Sequence, residues 1–526
     1  MYSKPISRRE FTRSFAGAVA AVSCGGVQAS PQGASARSKP ALTDIADLTI
    51  TEASARIRAS TLTATALVKA CLERIEIYNP KLDAFITVLG DEAIRQAAQL
   101  DSEQKAGRVR GPLHGIPIAL KDNIDTAGTR TTAASQVYDD RVPTEDAEVV
   151  RRLKASGAVL IGKANLDEFA AGVSYFGSVR NPWRLDRDPS GSSSGSAAAV
   201  AAALAFGALG TDTGGSVRAP AACCGVVGLK PTYGLVPLRG IVPLALTLDH
   251  CGPIARTTAD CALLLNELAG YDKLDITSIE HSREDYVAAL NQPISQLRVG
   301  VPRAPFFDHL DADTAKCVDT AIDVLAAITK ETRAAMLPST AEYITPMMDE
   351  VYAYHEELFA NREDRYMLSL RRNLRGIRDD LNSKEGACST KISSYIRRRW
   401  DLLLLRRTVD DMFSDFDVVV LPTRRTVPKK LSEVLEYRDD PKPRNPDELT
   451  WDNWDNCEAF NFLGLPAISI PCGFSREGLP VGLMIAGPRF SEGRILALAH
   501  AYELRSRWND QRPPLKPDTP VPPVRS

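Results

Sequence analysis

Short, almost wholly apolar runs alternate with helical patterns along most of this chain, and they restrict its possible folds more than any other feature. The clearest are IPIAL (116–120), AVLI (158–161), FDVVVLP (416–422), PAISIP (466–471) and LPVGLMIAG (479–487). Runs of this length without polar alternation are typical of strands that are buried on both faces. Their alternation with helices predicts an α/β fold, in which helices flank a central mixed or parallel sheet.

The helical patterns indicate how the sheet is interrupted. An N-terminal pattern over 52–78 predicts a helical region, which Asn79-Pro80 should end. A charged, helical region covers 340–412, and strand-like runs return after it. A sheet that is split by a helical insertion predicts one large domain rather than two.

The composition excludes several classes of protein. The 526 residues carry 64 Lys and Arg against 66 Asp and Glu, so the chain has no global basic field for nucleic acid. No uninterrupted apolar run is long enough to cross a bilayer. Ten cysteines in so long a chain predict core positions rather than a disulfide framework, and six histidines are few for a metal site.

The N-terminus has the order of regions found in a secretory signal. An arginine pair at 8–9 precedes a mild apolar run at 15–22, and small residues follow as far as the Ala-Ser-Ala triplet at 34–36. The arginine pair resembles the bacterial twin-arginine signal, which directs the export of folded proteins. We expect a signal over 1–36, cleavage after its last residue or after Ala29, and a periplasmic or secreted protein.

Two short motifs suggest other chemistries, but their context argues against both. The stretch G157-A-V-L-I-G-K163 has the spacing of a phosphate loop, yet Ala164 replaces the Ser or Thr that would bind magnesium, and its apolar middle predicts a strand. The stretch G191-S-S-S-G195 has the spacing of a nucleophile elbow, which should follow a buried strand. The polar, proline-broken segment 181–189 precedes it instead.

Three other elements occur in an order that is much more specific. Lys121 directly follows an apolar run, so we expect it to be desolvated, with a lowered pKa, and the neighbouring Asp122 carboxylate to point away from it. The Gly/Ser loop 189–196 leads into an Ala-rich helix predicted over 197–206. Further on, Ser216 follows two glycines, and small residues there leave backbone N–H groups free to face an oxyanion.

In these elements the chain resembles the amidase signature family. The resemblance extends over most of the mature chain except about 280–450, through LHGIPIALKDNID (113–125), GAVLIGKANLDEF (157–169), NPW (181–183), SGSSSGSAAAVAA (190–202), LGTDTGGSVRAPAACCGVVGLKPTYG (209–234), LDHCGPIART (248–257) and NFLGLPAISIPCGFSREGLPVGLMIAGP (461–488). It implies an α/β fold around a mixed sheet with helices on both faces. We therefore expect an amidase domain over 37–511, with a catalytic core at about 111–260 and 461–505, a divergent helical insertion at about 340–450, and a Pro-rich tail over 512–526.

The resemblance also implies a catalytic role for particular residues. Ser216 matches the nucleophile, Lys121 the base, and Ser192 the serine that bridges the two through a cis peptide bond. The implied oxyanion hole consists of the backbone N–H groups of Thr213, Gly214, Gly215 and Ser216. The family's usual G-G-S-S-G-G-S reads S190-G-S-S-S-G-S196 here, which keeps Ser192 but puts the geometry of the loop in doubt, since Gly allows backbone angles that Ser resists.

The positions that bind substrate are less defined. Ser193 and Arg218 are candidates, although Arg218 could instead pair with Asp212. The walls of the specificity pocket should come from 135–140 and from the divergent region 340–450. The resemblance implies no metal and no cofactor.

We expect a free-standing, exported amidase that hydrolyses a carboxylic amide, and also esters or carbamates, through an acyl-enzyme. Its expected partner is a small-molecule amide, with no nucleic acid and no membrane span; the oligomeric state is not encoded in any motif. The alternative is a component of an amidotransferase, because 209–257 resembles the amidase-type chain of glutamyl-tRNA amidotransferase, which works with two partner chains. The export signal argues against that alternative, because charged tRNA is absent outside the cell.

Overall fold

One mixed β-sheet forms the centre of the fold, and the helices pack against it. The computed structural model describes residues 45, 47–340, 343–382, 392–439 and 456–524. Its strands are β1 Phe85–Val88, β2 Pro117–Lys121, β3 Val159–Ala164, β4 Gly207–Asp212, β5 Val227–Lys230, β6 His250–Ala255, β7 Arg298–Val301, β8 Glu331–Ala334, β9 Val418–Pro422, β10 Ala467–Phe474 and β11 Pro480–Ala486. They form an 11-stranded sheet in the order β1-β3-β2-β4-β6-β5-β10-β11-β9-β7-β8.

The strands combine parallel and antiparallel pairing. β2 lies parallel to β3 and β4 at one side of the sheet, and β7 lies parallel to β8 and β9 at the other. The central strands from β4 through β6, β5, β10 and β11 to β9 are antiparallel. The predicted fold class, a single large α/β domain around a mixed sheet, is confirmed.

Helices flank this sheet. They are α1 Ile50–Arg58, α2 Ala64–Leu82, α3 Gly90–Lys105, α4 Glu148–Ala155, α5 Ser194–Ala201, α6 Arg218–Cys224, α7 Thr258–Leu268, α8 Tyr286–Ala289, α9 Ala312–Ala326, α10 Ile344–Arg362, α11 Leu368–Asn382, α12 Ile392–Thr408, α13 Leu431–Asp439, α14 Glu458–Phe462 and α15 Glu492–Ser506. α6 packs against β5, β10 and β11, and α9 packs against β9, β10 and β11. Within the described chain, no helix is long and apolar enough to cross a membrane.

The apolar runs form strands for the reason that the sequence indicates. Every residue of β2, β3, β4, β6 and β11 is buried, so the side chains on both faces of each strand are covered. The stretch with phosphate-loop spacing is part of this set, because β3 occupies it and buries Lys163 completely. This position is therefore a strand, as predicted.

The helical region predicted over 52–78 consists of two helices. α1 ends at Arg58, and α2 begins after Thr63, whose side chain accepts a hydrogen bond from the Ala66 N–H at 3.1 Å. This N-cap starts a new helix where the apolar spacing alone suggests continuity. α2 then passes through Pro80 and ends at Leu82, so the predicted stop at Asn79-Pro80 is wrong; the C-cap residue Asp83 adopts the left-handed conformation with φ 51°.

A Pro-rich tail ends the compact part of the chain, which extends over Leu42–Ser526. The tail has no helix or strand over 512–524, but it is tied down, because the Lys81 ammonium donates a hydrogen bond to the Thr519 carbonyl at 2.7 Å. The export signal predicted over 1–36 lies outside the described residues.

The described cysteines behave as the composition predicts. Eight of them are present as reduced thiols, and all of these except Cys317 are buried. The adjacent pair Cys223 and Cys224 lies in the last turn of α6, inside the core.

Candidate active site

Two parallel strands and one loop bring the predicted catalytic residues to the same edge of the sheet. β2 and β4 are neighbours with Leu120 opposite Leu209, so Lys121 at the end of β2 lies beside the end of β4. β4 then runs directly into the loop that carries Ser216. The Gly/Ser loop ends at Ser193, and α5 begins at Ser194, three residues earlier than the predicted start at 197.

The Lys121 amine is buried and has three close partners. Its Nζ atom lies 2.8 Å from Ser192 Oγ, 2.8 Å from Thr211 Oγ1 and 3.4 Å from the Thr211 carbonyl oxygen. Thr211 Oγ1 also accepts a hydrogen bond from the Asn123 side-chain amide at 3.2 Å. A neutral amine has two N–H donors and one lone pair, so donation of both N–H groups to Thr211 leaves the lone pair facing Ser192.

Burial favours this neutral state. Desolvation lowers the pKa of Lys121 to about 7, against the opposing attraction of the Asp167, Asp212 and Asp249 carboxylates. Asp122 points away, as expected: its carboxylate accepts hydrogen bonds from the Thr132 N–H at 2.9 Å and hydroxyl at 2.5 Å. It also lies 3.3 Å from the buried Lys163 ammonium.

The two serines border one cavity. The Gly191–Ser192 peptide bond is cis, which is the geometry that the family resemblance implies. Ser192 is almost fully buried, whereas Ser216 is partly exposed. Among the described residues, Lys121 is the hydrogen-bond partner of Ser192 Oγ, so a proton relay requires Ser216 Oγ to turn toward Ser192 when substrate binds.

The Asp212 carboxylate organises the loop around Ser216. It accepts hydrogen bonds from the Gly215 N–H at 2.9 Å, the Val217 N–H at 3.0 Å and the Asn461 side-chain amide at 2.8 Å. Burial alone would raise the pKa of Asp212, but the Arg218 guanidinium outweighs that effect and holds the pKa below its usual range. A buried carboxylate that stays ionised in this way needs several donors.

One of the four predicted oxyanion donors therefore already has an acceptor within the protein. The Gly215 N–H is already donated to Asp212 and is not free for a substrate oxygen. The N–H groups of Thr213, Gly214 and Ser216 remain the proposed donors, and all three residues line the cavity.

The two candidates for substrate binding both contact protein groups in the structure. Arg218 is fully buried, with Nε at 3.0 Å and Nη2 at 2.9 Å from the Asp212 carboxylate and Nη1 at 2.9 Å from the Cys457 carbonyl. Ser193 is likewise buried, and its hydroxyl lies 3.2 Å from the Thr211 carbonyl and 3.3 Å from the Thr211 N–H. Both side chains stabilise the loops around the catalytic residues instead of facing the cavity.

The cavity itself has a volume of about 220 Å³, and its wall combines polar and apolar surface in similar amounts. Its lining residues are Asp167, Ala170, Ala171, Ser190, Gly191, Ser192, Thr213, Gly214, Gly215, Ser216, Leu244, Met347, Arg424, Arg438 and Glu458. The Arg438 guanidinium lies 2.8 Å from the Asp167 carboxylate. No group of three or more His, Cys, Asp or Glu side chains that could hold a metal ion occurs in the part of the chain that the structure describes.

The predicted specificity regions contribute unequally. Met347, Arg424 and Arg438 place the divergent region in the wall, as expected. The segment 135–140 does not line the cavity: its Tyr138 hydroxyl lies 2.9 Å from the Tyr354 hydroxyl, and its ring packs against Phe169. The segment therefore packs against α10 of the helical insertion.

Sequence reasoning missed residues that act through their position. Thr211 holds the Lys121 amine, and Asn461 holds Asp212 although the two are 249 positions apart. Thr211 and Asp212 belong to the TDTGGS motif, and their position in this motif could have identified them from the sequence. No local signal pairs Arg438 with Asp167.

Known proteins resemble this chain over nearly its whole length. The sequence profile of the family described as Amidase matches residues 66–496. The A-type chain of glutamyl-tRNA(Gln) amidotransferase from Carboxydothermus hydrogenoformans is 38% identical over 491 residues, covering 89% of this chain and 99% of that protein. Among solved structures, the same amidotransferase chain from Thermotoga maritima has 32% identity and a TM-score of 0.70, covering 88% of this chain and 96% of that one. The peptide amidase from Stenotrophomonas maltophilia has 33% identity and a TM-score of 0.74, covering 90% and 99%.

These relatives correct the expected function. Several curated proteins at 36–40% identity are amidotransferase subunits, so the expectation of a free-standing, exported amidase is wrong, and the alternative that the sequence left open is favoured. The expected partner, a small-molecule amide alone, is contradicted by the same relatives, because they are subunits of a larger enzyme. Amide hydrolysis as the type of chemistry stands, because amidases and amidotransferase subunits share it.

The pKa of Lys121 predicts the pH dependence of the reaction. Below about pH 7 the amine is protonated and cannot accept a proton, so kcat/KM should rise with pH through that value and stay high above it. Lys121→Ala should remove this limb, and Lys121→Arg should be inactive because a guanidinium stays protonated. Lys316→Arg, at an exposed lysine, is the control. Near-normal activity in Lys121→Arg would exclude Lys121 as the base.

The buried pair of Arg218 and Asp212 predicts a stability effect without substrate. Arg218→Ala leaves the Asp212 carboxylate buried without its counter-ion, which should lower the free energy of unfolding by about 3–5 kcal/mol in urea titrations. Arg184→Ala removes an arginine whose side chain is 40% exposed and should cost at most about 1 kcal/mol. Wild-type stability in Arg218→Ala, with only KM raised, would restore the substrate-binding role.

Proposed function

Because this chain belongs to the amidase family, we propose that it acts as the amide-hydrolysing component of an amidotransferase. In this proposal Ser216 removes the acyl group of an amide donor, and the released ammonia passes to a partner chain. The observation that carries the hydrolytic step is the buried Lys121 amine, 2.8 Å from Ser192 Oγ and beside the cavity that Ser216 lines.

The proposed reaction begins with a proton relay. Neutral Lys121 accepts the proton of Ser192, and Ser192 accepts the proton of Ser216. Ser216 Oγ then forms a bond to the carbonyl carbon of the amide, and the π electrons move to the oxygen. The N–H groups of Thr213, Gly214 and Ser216 stabilise this oxyanion.

Collapse of the tetrahedral intermediate releases the nitrogen. The relay returns a proton to the leaving amine as the C–N bond breaks, which leaves the acyl group on Ser216 and ammonia as the product of a primary amide. Water then adds to the acyl-enzyme, loses its proton to the same relay, and frees the carboxylic acid. Each proton is returned, so the enzyme ends in its starting state.

The wall of the cavity supports a small, charged amide donor. Its volume of about 220 Å³ and its charged lining residues suit a compact polar molecule better than a long apolar chain. Asp167, Glu458, Arg424 and Arg438 provide both signs of charge. An amino-acid amide such as glutamine carries both signs as well, which favours it as the donor.

Transfer of labelled nitrogen tests the proposal. The chain, purified with the other components of the amidotransferase from the same cells, should move ¹⁵N from amide-labelled glutamine onto glutamyl-tRNA. Ser216→Ala should lower kcat by several orders of magnitude, whereas Ser193→Ala should keep a fluorophosphonate label at Ser216. Ser216-dependent hydrolysis of simple amides by the chain alone, with no association with such components, would contradict the proposal.

The location of the protein provides an independent test. The arginine pair at 8–9 predicts export and cleavage near Ala36, whereas the amidotransferase proposal requires the chain where charged tRNA is present. Cell fractionation with N-terminal sequencing separates the two. An intact chain in the cytoplasm supports the amidotransferase; a chain beginning near Arg37 in the periplasm, lost when both arginines become lysine, would contradict it.

A further inference from the structure

One face of α12 exposes large apolar side chains at helical spacing. Ile396, Trp400, Leu403 and Leu404 are 39%, 65%, 48% and 62% exposed. Positions 396, 400, 403 and 404 share one side of a helix, so these side chains form a continuous outer stripe. At about 1.5 Å of rise per residue, the stripe is about 12 Å long.

The opposite face of α12 is anchored, so the stripe cannot turn inward. Arg406 is buried and donates hydrogen bonds to the Phe462 carbonyl at 2.7 Å and the Thr247 carbonyl at 2.8 Å. Its guanidinium also lies 4.4 Å from the centre of the Tyr233 ring. Leu402, on the same inner side, belongs to the apolar cluster beneath the helix.

The charges around the stripe are mostly positive. α12 contains five arginines and one aspartate, Asp401. Of these arginines, Arg406 is buried on the inner face, and Arg399 lies 3.8 Å from the Glu350 carboxylate. Arg397 and Arg407 are exposed on the outer side and frame the stripe at its two ends. A helix that combines exposed Trp and Leu with flanking arginines has the composition of segments that lie in a lipid headgroup layer.

We propose that this stripe, formed by Ile396, Trp400, Leu403 and Leu404, binds the surface of an anionic lipid bilayer. Trp is favoured at the boundary between headgroups and acyl chains, where its ring is apolar and its N–H remains solvated. The arginines attract the negative headgroups, and the leucines enter the acyl boundary. The inference concerns a surface outside the catalytic cavity and does not depend on the proposed function.

The dimensions and charge of the stripe argue against a protein occupant. A stable protein interface buries about 800 Å² on each partner, which is much more than about two turns of one helix offer. A second copy of the chain would bring Arg397 and Arg407 of both chains into the same small interface. Binding through one short stripe should accordingly be weak and reversible, as expected for a peripheral contact.

Co-sedimentation with vesicles tests the proposal on the whole protein. The chain should bind vesicles of phosphatidylcholine mixed equally with phosphatidylglycerol, and bind pure phosphatidylcholine far less. Leu404→Glu should weaken binding roughly tenfold or more, while Leu504→Glu, which alters an equally exposed leucine of α15, should not. Arg397→Gln with Arg407→Gln should weaken binding about 30-fold at low salt, and Arg95→Gln with Lys316→Gln should change it little.

Two further measurements distinguish a lipid surface from a second copy of the chain as the binding partner of the stripe. Anionic vesicles should shift tryptophan emission to the blue, and Trp400→Phe should abolish that shift while hydrolysis of a soluble amide stays unchanged. Wild-type vesicle binding by Leu404→Glu would overturn the proposal. So would a lipid-free dimer that Leu404→Glu converts to a monomer, because a second copy would then cover the stripe.

Discussion

The burial of a single amine, that of Lys121, is the interaction on which the rest of the site depends. The fold places this side chain at the end of a strand whose every residue is buried, and desolvation lowers its pKa to about 7. Thr211 accepts from it, and Ser192 lies at the remaining position around Nζ. A base of this kind works without histidine because the sheet, and not a neighbouring anion, sets its protonation state.

A second buried charge fixes Ser216, the proposed nucleophile, relative to Lys121, the proposed base. Asp212 joins the backbone of the Ser216 loop to Arg218 on α6 and to Asn461 on α14. These contacts connect the end of β4 to the far half of the sheet, so the loop is held from both sides. Preorganisation of this kind would place the proposed oxyanion donors before substrate arrives, and such donors usually make the largest electrostatic contribution to catalysis.

Much of this arrangement is predictable from the sequence, but only where the information is local. The apolar runs predict the buried strands, and the position of Lys121 after one of them predicts its desolvation. The hydrogen bond from the Gly215 N–H to Asp212 is not predictable in this way, because it depends on the direction in which the Asp212 carboxylate points. Arg438 reaches the cavity from a region without any recognisable motif, since its pairing with Asp167 spans 271 positions. The break between α1 and α2 escapes a reading of the apolar spacing, because a cap at Thr63 interrupts the helix while that spacing continues.

Direct titration of Lys121 tests the central claim most directly. Protein labelled with ¹³C at the lysine ε carbon, compared with Lys121→Met to assign the resonance, reports the protonation of this amine by NMR across the pH range. The account predicts one lysine that titrates near pH 7, well separated from exposed lysines at about 10.4. A Lys121 resonance that stays protonated up to pH 10 would contradict it, because the base would then be charged throughout the range in which the relay must operate.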